Sequence, residues 1–536
     1  MKKLSAILAA LLACTTLLTA CGGDKQPATQ PEEQTKPSVE DTAPEQTETK
    51  TETETKEEEP ASGGVPVVKN ITDIAELPAH ERELTPEEQR RKNLPVPEKS
   101  DYVFDESNIV VTFGAFADTH LQLEDAKGSK TNSNYALALD FLNAYTNNGL
   151  DTLFFAGDMT DDGAGGQAEI LANITAEKLG TDKPVLYAIG NHDMYSWPKI
   201  PFANQVLHEA AYTSDITHDV SANYCRHSVV NGVHFIQVSA NNYTKGKQSY
   251  SNKAIEWLKV ALAHAAKEAP DMPIFVSTHL PIENTVYGSN AVSAAYPTLV
   301  WFSNELTEIL AGYPQVVLMT GHTHYPEQAD TTLIQDEFTM VNVGTLNYMV
   351  IDNWFENQQD IPKGAYDHPS SMLVEVDGNG GVRITRFDYA LGAQIGAQLV
   401  LPPSTHEDFL QVYTYGRGNA PGPQFPVKDA IIEVVGNSTS RRGLQLNFTA
   451  AESTTDATVY YYEVSISSDA STSAKTQKFV TDFYTVAQPE DMMKEWSINI
   501  GKVTIGATYT VTLTPYNFFD TPGETQVIEV DLSNVT

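Results

Sequence analysis

The stretch Ile109-Val-Val-Thr-Phe-Gly-Ala-Phe-Ala117-Asp118-Thr119-His120 decides how this chain is read. Ile109 to Ala117 is a short, mostly apolar run closed by polar residues, which reads as a buried strand. Asp118 and His120 stand where that strand must end. The same arrangement recurs four times. Leu153–Ala156 runs into Gly157-Asp158-Met159-Thr160-Asp161, and Val185–Ile189 runs into Gly190-Asn191-His192-Asp193. Ile274–Ser277 leads to His279, and Val316–Met319 leads to Gly321-His322-Thr323-His324. Phe235–Val238 is one more short apolar run. Helical spacing appears between the strands over Ser133–Asn147, with Leu137, Phe141 and Leu142 on one side. It appears again over Lys253–Lys267, with Ser251 or Asn252 as the cap. Such alternation predicts an α/β domain. In open α/β sheets, sites form beyond the carboxyl ends of strands, so five segments bring Asp, Asn and His to one edge.

Taken in order, DxH, GDxxD, GNHD, a lone His and GHxH resemble the calcineurin-like metallophosphoesterases, over about Asn108 to Tyr389. The resemblance implies a metallophosphoesterase-type β-sandwich flanked by helices. It also implies two divalent or trivalent ions, Mn, Fe or Zn. One would be held by Asp118, His120, Asp158 and His324, the other by Asp158, Asn191, His279 and His322, with Asp158 bridging. Imidazole and carboxylate donors suit these metals, and the scarcity of cysteine removes thiolate sites. Two divalent ions and two carboxylates leave about +2 at the site, enough to hold a phosphate inside an acidic protein. The reaction implied is attack on phosphorus by a metal-activated water or hydroxide. His192 would assist the leaving group as general acid. Asp161 would pair with His192 and set its tautomer, and Asp193 would orient the Asn191 loop. Purple acid phosphatases carry a Tyr where this chain has Asp161, so that coloured ligand is not expected. Asn342-Val343-Gly344-Thr345 resembles the strand end that closes the family's second sheet. His279-Leu280-Pro281 resembles phosphodiesterase-like members, and the choice between phosphatase and phosphodiesterase stays open.

The chain has 536 residues, with 70 acidic and 34 basic side chains and a net charge of −36. Phosphate-backbone affinity needs clustered Lys and Arg, so no nucleic-acid partner is expected. Apolar residues make up 41% and aromatics 9%, enough to build a core. Only Cys14, Cys21 and Cys225 are present, which excludes a disulfide framework. Cys225 reads as a small buried hydrophobe.

Met1-Lys2-Lys3 precedes an apolar run from Leu4 to Leu18 that is too short for a membrane span. Leu18-Thr19-Ala20-Cys21 resembles the lipobox of bacterial lipoproteins. It implies lipidation of Cys21 and an extracytoplasmic protein anchored to the bacterial cell membrane. Cys21 to Pro60 holds twelve acids and four lysines, an extended tether by composition. Thr85 and Pro86 begin a short helix over Glu87–Asn93.

Beyond a Pro- and Gly-rich junction, strands are expected at Leu444–Phe448, Val459–Ile466, Lys478–Tyr484, Trp496–Ile500, Thr508–Leu513 and Gln526–Val530. Ile505 to Asn517 resembles the penultimate strand of fibronectin type III domains, which implies an all-β sandwich with Tyr509 as a packing residue.

The predicted organisation is a signal peptide over 1–20, a tether over 21–65 and a lead-in over 66–107. A metallophosphoesterase domain comes next over 108–400, then a linker over 401–427 and a fibronectin-like domain over 428–536. The expected function is a surface-anchored two-metal phosphoesterase acting on a phosphoric mono- or diester. The alternative is a non-catalytic surface protein that binds a cell-wall or surface ligand through the C-terminal module.

Overall fold

The computed structural model describes residues 65–71, 85–124, 130–164, 166–195, 215–219, 225–240, 242–244, 247–289, 305–352, 355–356, 368–455 and 457–535. The signal segment, Cys21 and the tether through residue 64 lie outside the described residues.

The chain runs β1 (Val67–Ile71), α1 (Pro86–Lys92), β2 (Ile109–Phe116), α2 (Thr131–Tyr145), β3 (Thr152–Ala156), α3 (Gln167–Leu179) and β4 (Val185–Ala188). It continues with β5 (Asp215–Asp219), β6 (Cys225–Val230), β7 (Val233–Gln237), β8 (Asn242–Thr244), β9 (Lys247–Ser249), α4 (Asn252–Glu268) and β10 (Ile274–Ser277). Then come α5 (Thr307–Leu310), β11 (Val316–Thr320), β12 (Leu333–Gln335), β13 (Thr339–Asn342), β14 (Ser370–Asp377), β15 (Val382–Asp388) and β16 (Ala393–Leu401).

Two sheets from this region pack face to face, one ordered β16-β15-β14-β2-β3-β4 and the other β12-β13-β11-β10-β7-β6-β5. β2, β3 and β4 are parallel to one another, as are β7, β10, β11 and β13. Strands covered on both faces have no polar side to show, which explains the unbroken apolar runs of β3, β10 and β11. β2 sorts its side chains with a period of two. Val111, Phe113 and Ala115 enter the core between the sheets. Phe116 points the other way and meets Tyr135 of α2 edge-on at 5.8 Å. The inter-sheet core centres on Phe113, which makes edge contacts with Phe154, Phe235 and Phe275 at 4.9–5.9 Å.

α2 buries Tyr135, Ala138, Leu139, Phe141 and Leu142. Leu137, expected on the same side, is 36% exposed, because it lies about 40° beyond Phe141, past the edge of the buried face. α3 has no counterpart among the sequence-based expectations, since only Ala168, Leu171 and Thr175 make its inner face beside Gln167. α4 is capped by Ser251, whose Oγ accepts from the Ala254 N–H, and it buries five apolar residues. Cys225 is fully buried.

The C-terminal strands are β17 (Ile431–Val435), β18 (Arg441–Thr449), β19 (Val459–Ser468), β20 (Ser471–Val480), β21 (Glu495–Thr504), β22 (Thr508–Asn517) and β23 (Gln526–Asp531). Sheet β17-β18-β21 and sheet β20-β19-β22-β23-β1 share a core that includes Leu446, Tyr462, Trp496, Ile498, Val511 and Ile528. Burial alternates strictly along β22. Near its start, the Tyr509 hydroxyl donates to the Thr504 carbonyl at 2.8 Å, the geometry of a tyrosine corner.

Two differences from the sequence-based expectations stand out. β20 begins seven residues before Lys478, and Phe483 and Tyr484 leave the strand to join a separate aromatic cluster. The lead-in segment is part of the C-terminal sandwich, because β1 completes one of its sheets by pairing with β23. α1 has the expected Thr85 cap, completed by Glu88 as a capping box, and Arg91 lies over the Tyr415 ring. Pro66–Val535 form one compact unit.

Candidate metal centre

Each polar cluster lies at the carboxyl end of a strand: Asp118 and His120 after β2, Asp158 after β3, and Asn191 and His192 after β4. His279 follows β10, and His322 and His324 follow β11. Five of these residues have left-handed backbone: Asp118 (φ 49°), His120 (45°), Asp158 (50°), His322 (73°) and His324 (57°). Such conformations cost non-glycine residues energy and persist where surrounding structure imposes them. Two glycines are required by close approach. A Cβ on Gly190 would lie 2.1 Å from Asp158 Oδ1, and one on Gly321 would lie 2.5 Å from Asp118 Oδ2.

The structure brings all seven predicted ligands together. Asp118, His120 and His324 form one buried group of donors, and Asp158, His279 and His322 form another. In the first group, His324 Nε2 lies 3.2 Å from Asp118 Oδ1 and 3.2 Å from His120 Nε2. In the second, His279 Nε2 lies 3.1 Å from Asp158 Oδ2 and 3.0 Å from Asn191 Oδ1. His322 Nδ1 is 3.1 Å from the same amide oxygen. Asp158 Oδ2 faces both groups, since His120 Nε2 is 3.8 Å away.

The tautomers show what these atoms need. His279 Nδ1 lies 2.9 Å from the Ala156 carbonyl, and His324 Nδ1 lies 2.8 Å from the Tyr348 carbonyl. A carbonyl only accepts, so each Nδ1 carries a hydrogen and each Nε2 is left facing the interior, where it holds a proton or offers a lone pair to a cation. Asn191 Nδ2 donates to the Tyr195 hydroxyl at 2.8 Å, which turns Oδ1 inward. Lone pairs from imidazole, amide and carboxylate therefore converge in a buried space. Asp118 Oδ1 has no hydrogen-bond partner among the described residues. Such a convergence is repulsive unless cations or protons occupy it. The titration directions agree. Burial works to raise the Asp118 carboxyl, but the neighbouring His324 and His120 imidazoles hold it well below the carboxylate range. Burial opposes protonation of His279, yet Asp158 pushes it up to about 9. Burial and the His279 charge press His322 down to about 3. The donor set thus fits a pair of cations.

His192 is half-buried at the rim, its ring edge-on to His120 at 4.3 Å and beside Tyr195 at 4.5 Å. Its Nδ1 donates to the backbone carbonyl of Asp161 at 2.6 Å. This corrects the expected role of the Asp161 side chain, whose carboxylate is 41% exposed and lies 3.9 Å from His120 Nδ1. The tight turn places the main chain rather than the side chain against the imidazole. Asp193 accepts from the Gly190 N–H, the Thr160 N–H and the Thr160 hydroxyl, tying the loop after β4 to the loop after β3. Burial and the nearby Asp158 charge raise its carboxyl to about 6.

Sequence reasoning missed Tyr348 and the supporting role of Thr345. Tyr348 stacks on His324 at 4.2 Å, and the Thr345 hydroxyl donates to the Asp118 carbonyl at 3.0 Å. Thr345 belongs to the strand end at 342–345, whereas Tyr348 has no sequence signal. Tyr195 is at the site, whereas Tyr287 meets Tyr325 edge-on at 4.4 Å in an aromatic cluster, and the Asn284 carbonyl accepts from Tyr415. Other histidines pair locally, His227 with His234 at 2.8 Å and His368 with Asp388.

Residues 111–326 match the sequence profile of the family described as calcineurin-like phosphoesterase. No curated protein matches the chain. Among solved structures, the chain is similar to a purple acid phosphatase from seeds of yellow lupin (Lupinus luteus), at 11% identity and a TM-score of 0.38. That similarity covers 54% of this chain and 53% of the lupin protein, so the chain spans about half the length of that structure.

Proposed function

We propose that the chain, whose residues 111–326 match the calcineurin-like phosphoesterase profile, hydrolyses phosphoric mono- or diesters at this centre. The observation that carries this reading is the pair of buried donor groups with Asp158 Oδ2 between them, 3.1 Å from His279 Nε2 and 3.8 Å from His120 Nε2, and with His279 and His324 oriented by backbone carbonyls. The cofactors are two metal ions, drawn from Mn, Fe or Zn. Asp118, His120, Asp158 and His324 would hold one, and Asp158, Asn191, His279 and His322 the other. When bound, such a pair lowers the pKa of water toward neutrality and draws charge from phosphoryl oxygens.

The chain's own residues supply the rest. Asp158 is fixed by the His192 N–H, which donates to its Oδ1 at 2.8 Å. Asp118 is fixed likewise by the His322 N–H, which donates to its Oδ2 at 2.8 Å. With its Nδ1 hydrogen committed to the Asp161 carbonyl, His192 exchanges protons through Nε2, and as imidazolium it donates there to the leaving oxygen. Tyr195 braces two participants at once, Asn191 through its hydroxyl and His192 through its ring.

The chain is further proposed to sit outside the cytoplasm, held by lipid on Cys21, on the strength of the Leu18-Thr19-Ala20-Cys21 pattern. The C-terminal sandwich is read as fibronectin type III-like, supported by its two facing sheets and the Tyr509 corner. Incorporation of labelled fatty acid, lost in Cys21→Ser, tests the anchor.

The test of activity is turnover of p-nitrophenyl phosphate and bis-p-nitrophenyl phosphate by the full chain with Mn, Fe or Zn. Metal-dependent turnover of either supports the reading, and the faster ester chooses between mono- and diesterase. Absence of both turnover and bound metal refutes it and moves attention to binding by the C-terminal sandwich.

A further inference from the structure

Tyr460 lies on β19 of the C-terminal sandwich, yet it reaches toward the metal centre. Its hydroxyl donates to Asp352 Oδ2 at 2.9 Å and accepts from the Tyr287 hydroxyl at 2.8 Å. The other oxygen of Asp352 accepts from the Tyr325 hydroxyl at 2.6 Å. Tyr325, Asp352 and Tyr460 are all buried, within an aromatic cluster that joins Tyr287, Met349, Ile351 and Phe355 to Phe483 and Phe518.

Asp352 closes the segment that holds His324. Tyr325 is the next residue after His324. The Val350 N–H donates to the His324 carbonyl at 2.8 Å. The Tyr348 carbonyl accepts from His324 Nδ1 at 2.8 Å. Tyr348 covers the His324 ring in a near-parallel stack with an interplanar angle of 18°. His324 is held in left-handed backbone, which needs this restraint from its surroundings.

We propose that the C-terminal sandwich is a positioning element of the metal centre, with Tyr460 acting through Asp352 to set the orientation and tautomer of His324. The inference rests on the phosphoesterase reading. Groups behind a metal-ligating histidine typically change metal affinity about 10–100-fold when removed. Tyr460→Phe deletes one hydroxyl and keeps the ring. It removes one donor from the buried Asp352 carboxylate and one acceptor from the Tyr287 hydroxyl.

The experiment uses the full chain, stripped with a chelator and titrated with Co²⁺, following both dissociation constants by its absorption. In Tyr460→Phe, one constant rises about tenfold or more while the other stays within about twofold. Turnover shows a fall in kcat with little change in KM. Introducing Tyr460→Phe into a His324→Ala chain gives no further loss of affinity. Val511→Ala, buried in the core of the sandwich rather than in the cluster around Asp352, controls for stability: it lowers Tm and moves neither constant. A lowered Tm with unchanged constants in Tyr460→Phe overturns this inference alone, and so does an equal loss in the His324→Ala background. A wild-type chain that binds no Co²⁺ overturns the phosphoesterase reading and this inference with it.

Discussion

Glu327 gives a stability prediction with a definite sign. Its carboxyl is fully buried, and burial pushes it up to about 8 from an ordinary value of 4.5, against the opposing effects of the Gly344 N–H and Arg386. Oε1 accepts from Gly344 N at 2.7 Å, and Oε2 has no hydrogen-bond partner among the described residues. Between pH 4.5 and 8 the unfolded chain has released this proton while the folded chain keeps it. Stability therefore falls as pH rises through that window, and the loss is complete above it. At 1.36 kcal/mol per unit, the contribution is on the order of 5 kcal/mol. Glu327→Gln keeps an acceptor for Gly344 and cannot ionise. Its buried amide N–H₂ adds a pH-independent penalty of about 1–2 kcal/mol. The variant is thus slightly less stable than wild type at pH 5 and more stable at pH 9. Urea unfolding of both chains at pH 5, 7 and 9 reads the crossing, and the shared titrations cancel in the difference. Parallel profiles, or a variant destabilised equally at all three values, would refute the reasoning.

His192→Ala is expected to lower kcat by about 10²–10⁴-fold while bound metal, measured by elemental analysis, stays unchanged. If metal is lost in parallel, His192 is a ligand and the assignment fails. Gly190→Ala forces a methyl onto the Asp158 carboxylate and lowers metal affinity without altering the C-terminal sandwich, as near-ultraviolet circular dichroism and chelator competition would record. Tyr509→Phe removes the bond to the Thr504 carbonyl and lowers stability by about 1 kcal/mol in urea unfolding, with turnover untouched.

Much of the centre was legible because each ligand segment follows an apolar strand, and strand ends are easy to see when a run such as Val316–Met319 stops at Thr320-Gly321-His322. What pattern cannot show is which atom of a residue does the work. Asp161 was expected to act through its carboxylate, yet its carbonyl meets His192. Leu137 fits helical spacing as well as Phe141 does, but only contact with the sheet decides which side of α2 is covered. β1 pairs with β23 from the far end of the chain, a register that no local signal encodes. Tyr348, Asp352 and Tyr460 gain their meaning only from folding, since nothing in the residues around them marks a link to His324. The glycines before Asn191 and His322 were visible as parts of motifs, and the structure supplies their reason in the space taken by Asp158 and Asp118.

The proposed function requires two cations that share Asp158. The direct measurement is the metal content of the full chain after reconstitution with Mn, Fe or Zn and removal of excess, beside Asp158→Asn. Two ions are expected per wild-type chain and one or none in the variant. A wild-type chain that retains no metal, or a variant that retains both ions, would contradict it.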